Sequence, residues 1–217
     1  MDICSHLCWD WFMASRSATN SVRRRPRQRR ARETFESVLD AAIRILKREG
    51  AGALTTNRIA EIAGVSIGSI YQYFPDKRAI FAALHDRHIK QIDRMIQRTL
   101  VDHATSSLEE LMSAVVEEMV AAHSTDPELS ELLLVEVPHG ADGSRSFSAR
   151  LHGAFLLAIS SRARELKNGR DLESVVFVVT HMVDALTHGA VLSRPAALSL
   201  QAAKEEIVGA VMTYLSA

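Results

Sequence analysis

Ser66, Ile67, Gly68 and Ser69 form a run of small or compact residues, and Tyr71, Gln72 and Tyr73 follow within about one helical turn. Lys77 stands just beyond Pro75. These types at this spacing make neither an acid–base pair nor a nucleophile with its base. They suit recognition of a polyanion. Compact side chains allow close approach to a groove, and hydroxyls and amides meet phosphate oxygens or base edges. A cation at a helix start adds to backbone amides that already favour anions. Ile67 can contact only apolar atoms, such as a thymine methyl.

Positioning such residues takes two short helices crossing at a tight turn. Ala60, Gly64 and Ile70 have the needed spacing: a small residue at the crossing, a glycine where positive φ is cheap, and an apolar residue facing back from the second helix. Val65 plugs the turn. Thr55 or Thr56 can cap the first helix and Ser66 the second. Pro75 stops the second helix and Asp76 caps a third. A plain helical hairpin would also satisfy Ala60, Gly64 and Ile70. The groove-compatible run from Ser66 favours a helix-turn-helix over residues 55–74. Tyr71 and Tyr73 are two apart, so they point to different sides, and one of them is open to a packing role.

The flanking segments read as helices. Phe35, Val38, Leu39, Ala42, Ile45 and Leu46 recur at helical spacing over 33–49, and Gly50 sits where a C-cap glycine belongs. Ile80, Phe81, Leu84, Ile89, Ile92, Met95, Ile96 and Leu100 carry a long helix from Lys77 to Val101. Further helices are expected over 107–122, from Asp126 with Pro127 in its first turn, and over 146–166, 172–192 and 197–215. Neither strand alternation nor an internal repeat is present, so the expected class is all-α.

The zero net charge hides an asymmetry. Residues 1–90 carry a net charge of +7 and residues 91–217 one of −7, which fits a nucleic-acid reader joined to a part with another task. Val22 to Arg32 holds seven arginines and Pro26. Residues 1–32 are therefore expected to form an unfolded basic arm, either a solvated tail or a strap along DNA phosphates or a minor groove. Met13 is a possible native start.

Cys4 and Cys8 cannot staple a fold of this size, which suits a cytoplasmic setting. With His6 they could hold a metal, but the segment reads as loose tail. The most apolar stretch, Val175 to Leu192, contains Thr180, His181, Asp184, Thr187 and His188, too polar for a membrane span. A helix apolar nearly all round is expected to be buried on all sides, here in a subunit interface.

The segment from Thr55 to Lys77 resembles the DNA-binding signature of the TetR family of bacterial regulators. Gly68-Ser69-Ile70-Tyr71-Gln72-Tyr73-Phe74-Pro75 is its most specific part, and the likeness covers about 33–85. The resemblance implies an N-terminal three-helix DNA-binding domain over 33–85 and a helical ligand-binding and dimerisation domain over 86–217. By the same likeness Ser66, Ile67, Gly68 and Ser69 face the major groove, Tyr71 and Tyr73 touch backbone or flanking bases, Thr56 and Lys77 grip phosphates, and Asn57 contacts a base or phosphate. Val65, Ile70 and Phe74 are core. The pair Arg78-Ala79 departs from the acidic residue that many members carry after the lysine.

The implied protein is a homodimer. The last two helices of each subunit form its interface, and it binds a near-palindromic double-stranded operator as a repressor that a small-molecule ligand releases. The alternative is a constitutive or architectural DNA-binding regulator without a ligand. His152, Phe155, His181, Met182 and Asp184 are the candidates for a ligand pocket. His181, Asp184 and His188 share a helix face, either as a ligand or metal site or as satisfied interface polar groups. The second reading is preferred, and neither a metal nor a cofactor is expected. The sequence lacks a glycine-rich phosphate loop, a nucleophile elbow and a His-Glu-x-x-His motif, so an enzyme is not expected.

Overall fold

The structure is a computed structural model that describes residues 29–136, 142–162 and 170–216, with Arg164 and Leu166. Cys4, Cys8, the arginines up to Arg27 and His139 lie outside the described residues. Among the described residues there are nine α-helices and no strand. They are α1 (Arg29–Glu49), α2 (Thr56–Ala63), α3 (Ile67–Tyr73), α4 (Lys77–Asp102), α5 (Leu108–Ser124), α6 (Pro127–Glu136), α7 (Asp142–Ser160), α8 (Leu172–Leu192) and α9 (Leu200–Ser216).

The chain divides into two compact units: residues 1–88 with 128–144, and residues 89–127 with 145–217. By this division the described residues 128–136 group with the first unit. The cause is apolar burial. Leu133 is buried in the N-terminal core, and Leu129 and Leu132 pack against it.

Helix α1 is described from Arg29, four residues before the expected Glu33. Arg29 to Arg32 are good helix formers once the chain beyond Glu33 supplies a buried face. Arg29 also pairs with Glu33 one turn on, at 3.3 Å, though both are exposed and the pair adds little. The buried face of α1 is Val38, Leu39, Ala41, Ala42, Ile45 and Leu46. It packs with Leu54, Ile59, Ile70, Phe74, Ile80, Phe81 and Leu84 into one core. Each such side chain stabilises the unit by about 1.5–3 kcal/mol. At the rim, Arg87 on α4 pairs with Asp40 of α1 at 2.7 Å.

The C-terminal unit is built on α5, α8 and α9, with buried residues such as Leu111, Val115, Met119, Val176, Val179, Ile207 and Val211. Ser107 and Glu110 cap α5 reciprocally: each side chain bonds the other residue's backbone N–H. Helix α7 ends at Ser160, short of the expected Leu166. Ser160 and Ser161 hydroxyls donate to the carbonyls of Leu157 and Ala158, and Arg162 takes the Ala158 carbonyl as well, so the last turn is closed by side chains. Arg162 is buried and also donates to the carbonyls of His103, Ala104 and Ser106, satisfying backbone left over where α4 ends. Helix α9 starts at Leu200, because Ser199 caps it through the Ala202 N–H.

Helix α8 is the one described helix long and apolar enough to cross a membrane by length and composition. Val175, Val176, Val179, Val183, Thr187 and Ala190 face the core, whereas Phe177 is 50% and Leu186 40% exposed. Within one chain only one side of the helix has neighbours to cover it.

Candidate nucleic-acid interface

Helices α2 and α3 are too short to hold themselves and depend on caps and seats. The Thr55 hydroxyl accepts from the Arg58 N–H at 3.2 Å and opens α2. Gly64 closes it in the left-handed region, φ 66° and ψ 32°. The Val65 N–H then turns back to the Ala60 carbonyl at 3.1 Å, a geometry in which a Cβ would be strained. Ser66 caps α3, accepting from the Ser69 N–H at 3.1 Å, and the two serine hydroxyls lie 2.8 Å apart. The Phe74 N–H to Ile70 carbonyl bond, 2.8 Å, closes the last turn before Pro75.

The core seats α3 through Ile70 and Phe74, both fully buried. Phe74 stacks on Phe35 of α1 with ring centroids 4.8 Å apart. Tyr73 packs edge-on against the same Phe35 at 6.0 Å and is half-buried. The opposite side of α3 is open. Ser66, Ile67, Gly68, Tyr71 and Gln72 are exposed and Ser69 partly so, with Ile67 and Tyr71 each 42% accessible. The two tyrosines thus divide as their spacing implies: Tyr71 faces outward and Tyr73 largely packs.

On α2, Asn57 is exposed and Thr56 half-buried, and the Thr56 hydroxyl lies 3.4 Å from the Tyr71 phenol. These residues share the exposed ridge with the start of α3. Lys77 is more constrained than a free surface cation. Its ammonium donates to the Ala51 carbonyl at 2.9 Å and sits 5.4 Å from the Phe81 ring centroid. An ammonium carries three donors, so this anchor leaves capacity for an anion. The nearby Arg58 is engaged: it bonds Glu49 and Glu61, each at 2.8 Å. Those bonds raise its pKa, Glu49 first, and the guanidinium holds the Glu49 carboxyl below its ordinary value. This triad braces α2 against α1.

The other candidates lie in the C-terminal unit. Phe155 is buried in the core and Met182 packs partly against it. The His152 ring lies 2.5 Å from the Glu173 carboxylate. The His181 ring packs against Phe177 at 4.2 Å on the exposed side of α8, where Asp184 is also exposed. A groove of about 660 Å³ opens elsewhere, lined by His103, Ser107, Glu109, Glu110, Ser113, Ala114 and Glu117. Sequence reasoning singled out none of these as ligand contacts, because capping and surface glutamates on a helix carry no distinct signal.

Residues 38–84, which hold this capped and seated pair, match the model of the bacterial regulatory proteins of the tetR family. Residues 107–215, half of the chain, match the tetracyclin repressor-like C-terminal domain. The chain belongs to the TetR family. Its α2–α3 pair lies within the part matched by that family's N-terminal model.

Among relatives of this TetR-family chain, the HTH-type transcriptional regulator AcrR of Shigella flexneri is 30% identical over 116 residues, covering 52% of this chain and 51% of AcrR. The nucleoid occlusion factor SlmA of Haemophilus ducreyi is 36% identical over 77 residues, 35% of this chain and 34% of SlmA. The chain thus spans about half or less of the curated relatives it matches. The solved structure of the transcriptional regulator FadR from Bacillus subtilis in complex with stearoyl-CoA shares the fold, with a TM-score of 0.60 at 19% identity over 83% of this chain and 98% of that one.

Proposed function

We propose that this regulator binds a near-palindromic operator as a homodimer and represses transcription until a small molecule releases it. The observation that carries the reading is the outer side of α3. Ser66, Ile67, Gly68, Ser69 and Tyr71 are left open by the core while Ile70 and Phe74 anchor the helix from behind. On this reading the four residues from Ser66 meet base edges in the major groove. Asn57 and Tyr71 meet bases or backbone at its margin, Thr56 and Lys77 hold phosphates, and Tyr73 adds a phosphate contact through its hydroxyl.

Dimerisation is supported by the uncovered side of α8 with Phe177 and Leu186, and by Gly209, Ala210 and Thr213 exposed on α9. A two-fold axis there would present two recognition helices to half-sites about one DNA turn apart. Release would follow from linkage: a ligand that binds the DNA-incompetent dimer more tightly lowers operator affinity by that differential. His152, Phe155, His181, Met182 and Asp184 are its proposed contacts. The acyl-CoA in the B. subtilis FadR structure supports a largely apolar ligand for this fold. The chain then carries no catalytic chemistry and acts in the cytoplasm, where the DNA is.

A second reading, a DNA-binding protein without a ligand, is favoured by the likeness of 77 residues of the chain to a nucleoid occlusion factor. Fluorescence anisotropy with the DNA upstream of the protein's own gene, across a salt series, tests the main reading. Competitor-resistant binding with a steep salt slope is expected. Its loss on adding long-chain acyl-CoA supports ligand release, and binding that no candidate ligand disturbs supports the second reading. Equal, weak binding to random DNA would mean that the operator lies elsewhere or that the helix-turn-helix serves only packing, and a genome-wide binding selection that recovers no site would defeat the main reading.

A further inference from the structure

Helices α5 and α8 of the C-terminal unit bring three metal-binding side chains together. His123, Asp184 and His188 each offer a ligand atom, and these atoms all lie within 4.8 Å of one another. Asp184 and His188 are one turn apart on α8 and therefore share a face. His123 enters from the last turn of α5 and is 1% exposed. Its ring lies against that of His188, with centroids 3.7 Å apart and planes at 34°.

The His188 Nδ1 lies 2.9 Å from the Asp184 backbone carbonyl. A carbonyl only accepts, so Nδ1 is the donor in this contact and Nε2 is the nitrogen left for an ion. A backbone carbonyl that holds one imidazole nitrogen, leaving the other to the ion, is the usual support behind a metal-bound histidine. The Asp184 carboxylate, 62% exposed, brings the negative charge and stands at the solvent edge.

We propose that His123, Asp184 and His188 bind one divalent transition-metal ion of borderline hardness, zinc or a first-row neighbour, with the fourth position open to water. Two imidazoles and one carboxylate form the donor set such ions prefer, and a soft copper(I) or a hard calcium ion would not choose it. At metal–ligand distances of about 2.0–2.2 Å, tetrahedral donors stand roughly 3.3 Å apart. To bind, the two rings turn out of their present face-to-face stack so that the lone pairs in their planes converge on the ion, and the exposed Asp184 side chain rotates to bring in its carboxylate. The bound ion clamps the end of α5 to α8. The site differs from the His181, Asp184 and His188 face read along α8 alone: the third ligand comes from a neighbouring helix. Its existence does not depend on an operator or on a small-molecule ligand.

The test uses the purified full chain, stripped with a chelator and titrated with Co²⁺ and then Zn²⁺. One Co²⁺ per chain is expected, with the visible absorption of a low-coordinate site, displacement by Zn²⁺ and a raised Tm. Asp184→Asn and His188→Gln should each weaken binding on the order of 10–100-fold or more while the far-UV circular dichroism is unchanged. Asp184 is exposed, so that variant keeps the fold even if the buried His123→Gln does not. Cys4 and Cys8 could bind the same ions, so a Cys4→Ser, Cys8→Ser double variant is titrated alongside and should bind like the parent. Absence of stoichiometric binding, binding that survives Asp184→Asn and His188→Gln, or binding lost in the cysteine variant would overturn the proposal.

Discussion

The phenol of Tyr71 on α3 reaches back to α2, its oxygen 3.4 Å from the hydroxyl of Thr56. The contact is long for an O–H···O bond and contributes little to the fold. It orients two hydroxyls on one exposed ridge. Tyr71→Phe is therefore expected to leave Tm nearly unchanged and to weaken operator binding by about 1 kcal/mol. If its partner is a phosphate, affinity should fall about equally on all sequences. Anisotropy on specific and random DNA, with a thermal melt, checks both parts, and an unchanged operator affinity would remove Tyr71 from the interface.

Gly68 is not needed by the chain itself. A Cβ there would meet only the Ser66 hydroxyl, at 3.8 Å, and its φ is not in the left-handed region. Alanine is favoured over glycine by about 1 kcal/mol within a helix, somewhat less this close to its start. Gly68→Ala should thus raise Tm yet, with α3 in the groove as proposed, weaken operator binding by about 1–3 kcal/mol. A variant that gains stability and keeps full affinity would show that α3 does not approach DNA there.

Gly64 behaves in the opposite way. It holds φ 66° between α2 and α3, so Gly64→Ala should destabilise the chain by about 1–2 kcal/mol. Gly64→Asn should cost less, because asparagine tolerates that conformation. Urea unfolding of the two variants gives the comparison. Equal losses would mean that the strain is relieved elsewhere in the turn.

The acid limb of stability should carry the mark of two helix caps. The Ser107 N–H and hydroxyl hold the Glu110 carboxyl below its ordinary 4.5. The Ser174 hydroxyl and N–H do the same for Asp171 below 3.8. A depressed carboxyl contributes fully above its unfolded value and loses that contribution as pH falls through the folded one. Tm differences between the parent and Glu110→Gln should be largest near neutrality and vanish on the acid side of that window. A difference independent of pH would assign the effect to packing.

The open side of α8 sets a test of assembly. Phe177→Glu with Leu186→Glu places two charges where apolar surface now faces outward. The variant should stay folded but sediment as a monomer and lose most of its operator affinity, because each half-site is then bound alone. A dimer that survives both charges would move the interface elsewhere.

Much of this was legible along the chain because it is local. Caps and stops such as Ser66, Pro75, Asp76 and Ser107 act within one turn, and 3.6-residue periodicity marks α1 and α4 whatever they pack against. The helix-turn-helix was readable for the same reason: its spacing of Ala60, Gly64 and Ile70 spans eleven residues. Relations between distant segments were decided only by tertiary packing. Lys77 reads as a free cation, and only the fold brings the Ala51 carbonyl to it. The apolar composition of α8 implies burial all round, and only the packing shows which of its sides the chain's own core covers. His123 reads as a helix-end residue, and its meeting with His188, 65 residues later, depends on how α5 and α8 pack. Residue spacing carries chemistry that fits within a few turns of chain, and contacts that close long loops are set by the whole core.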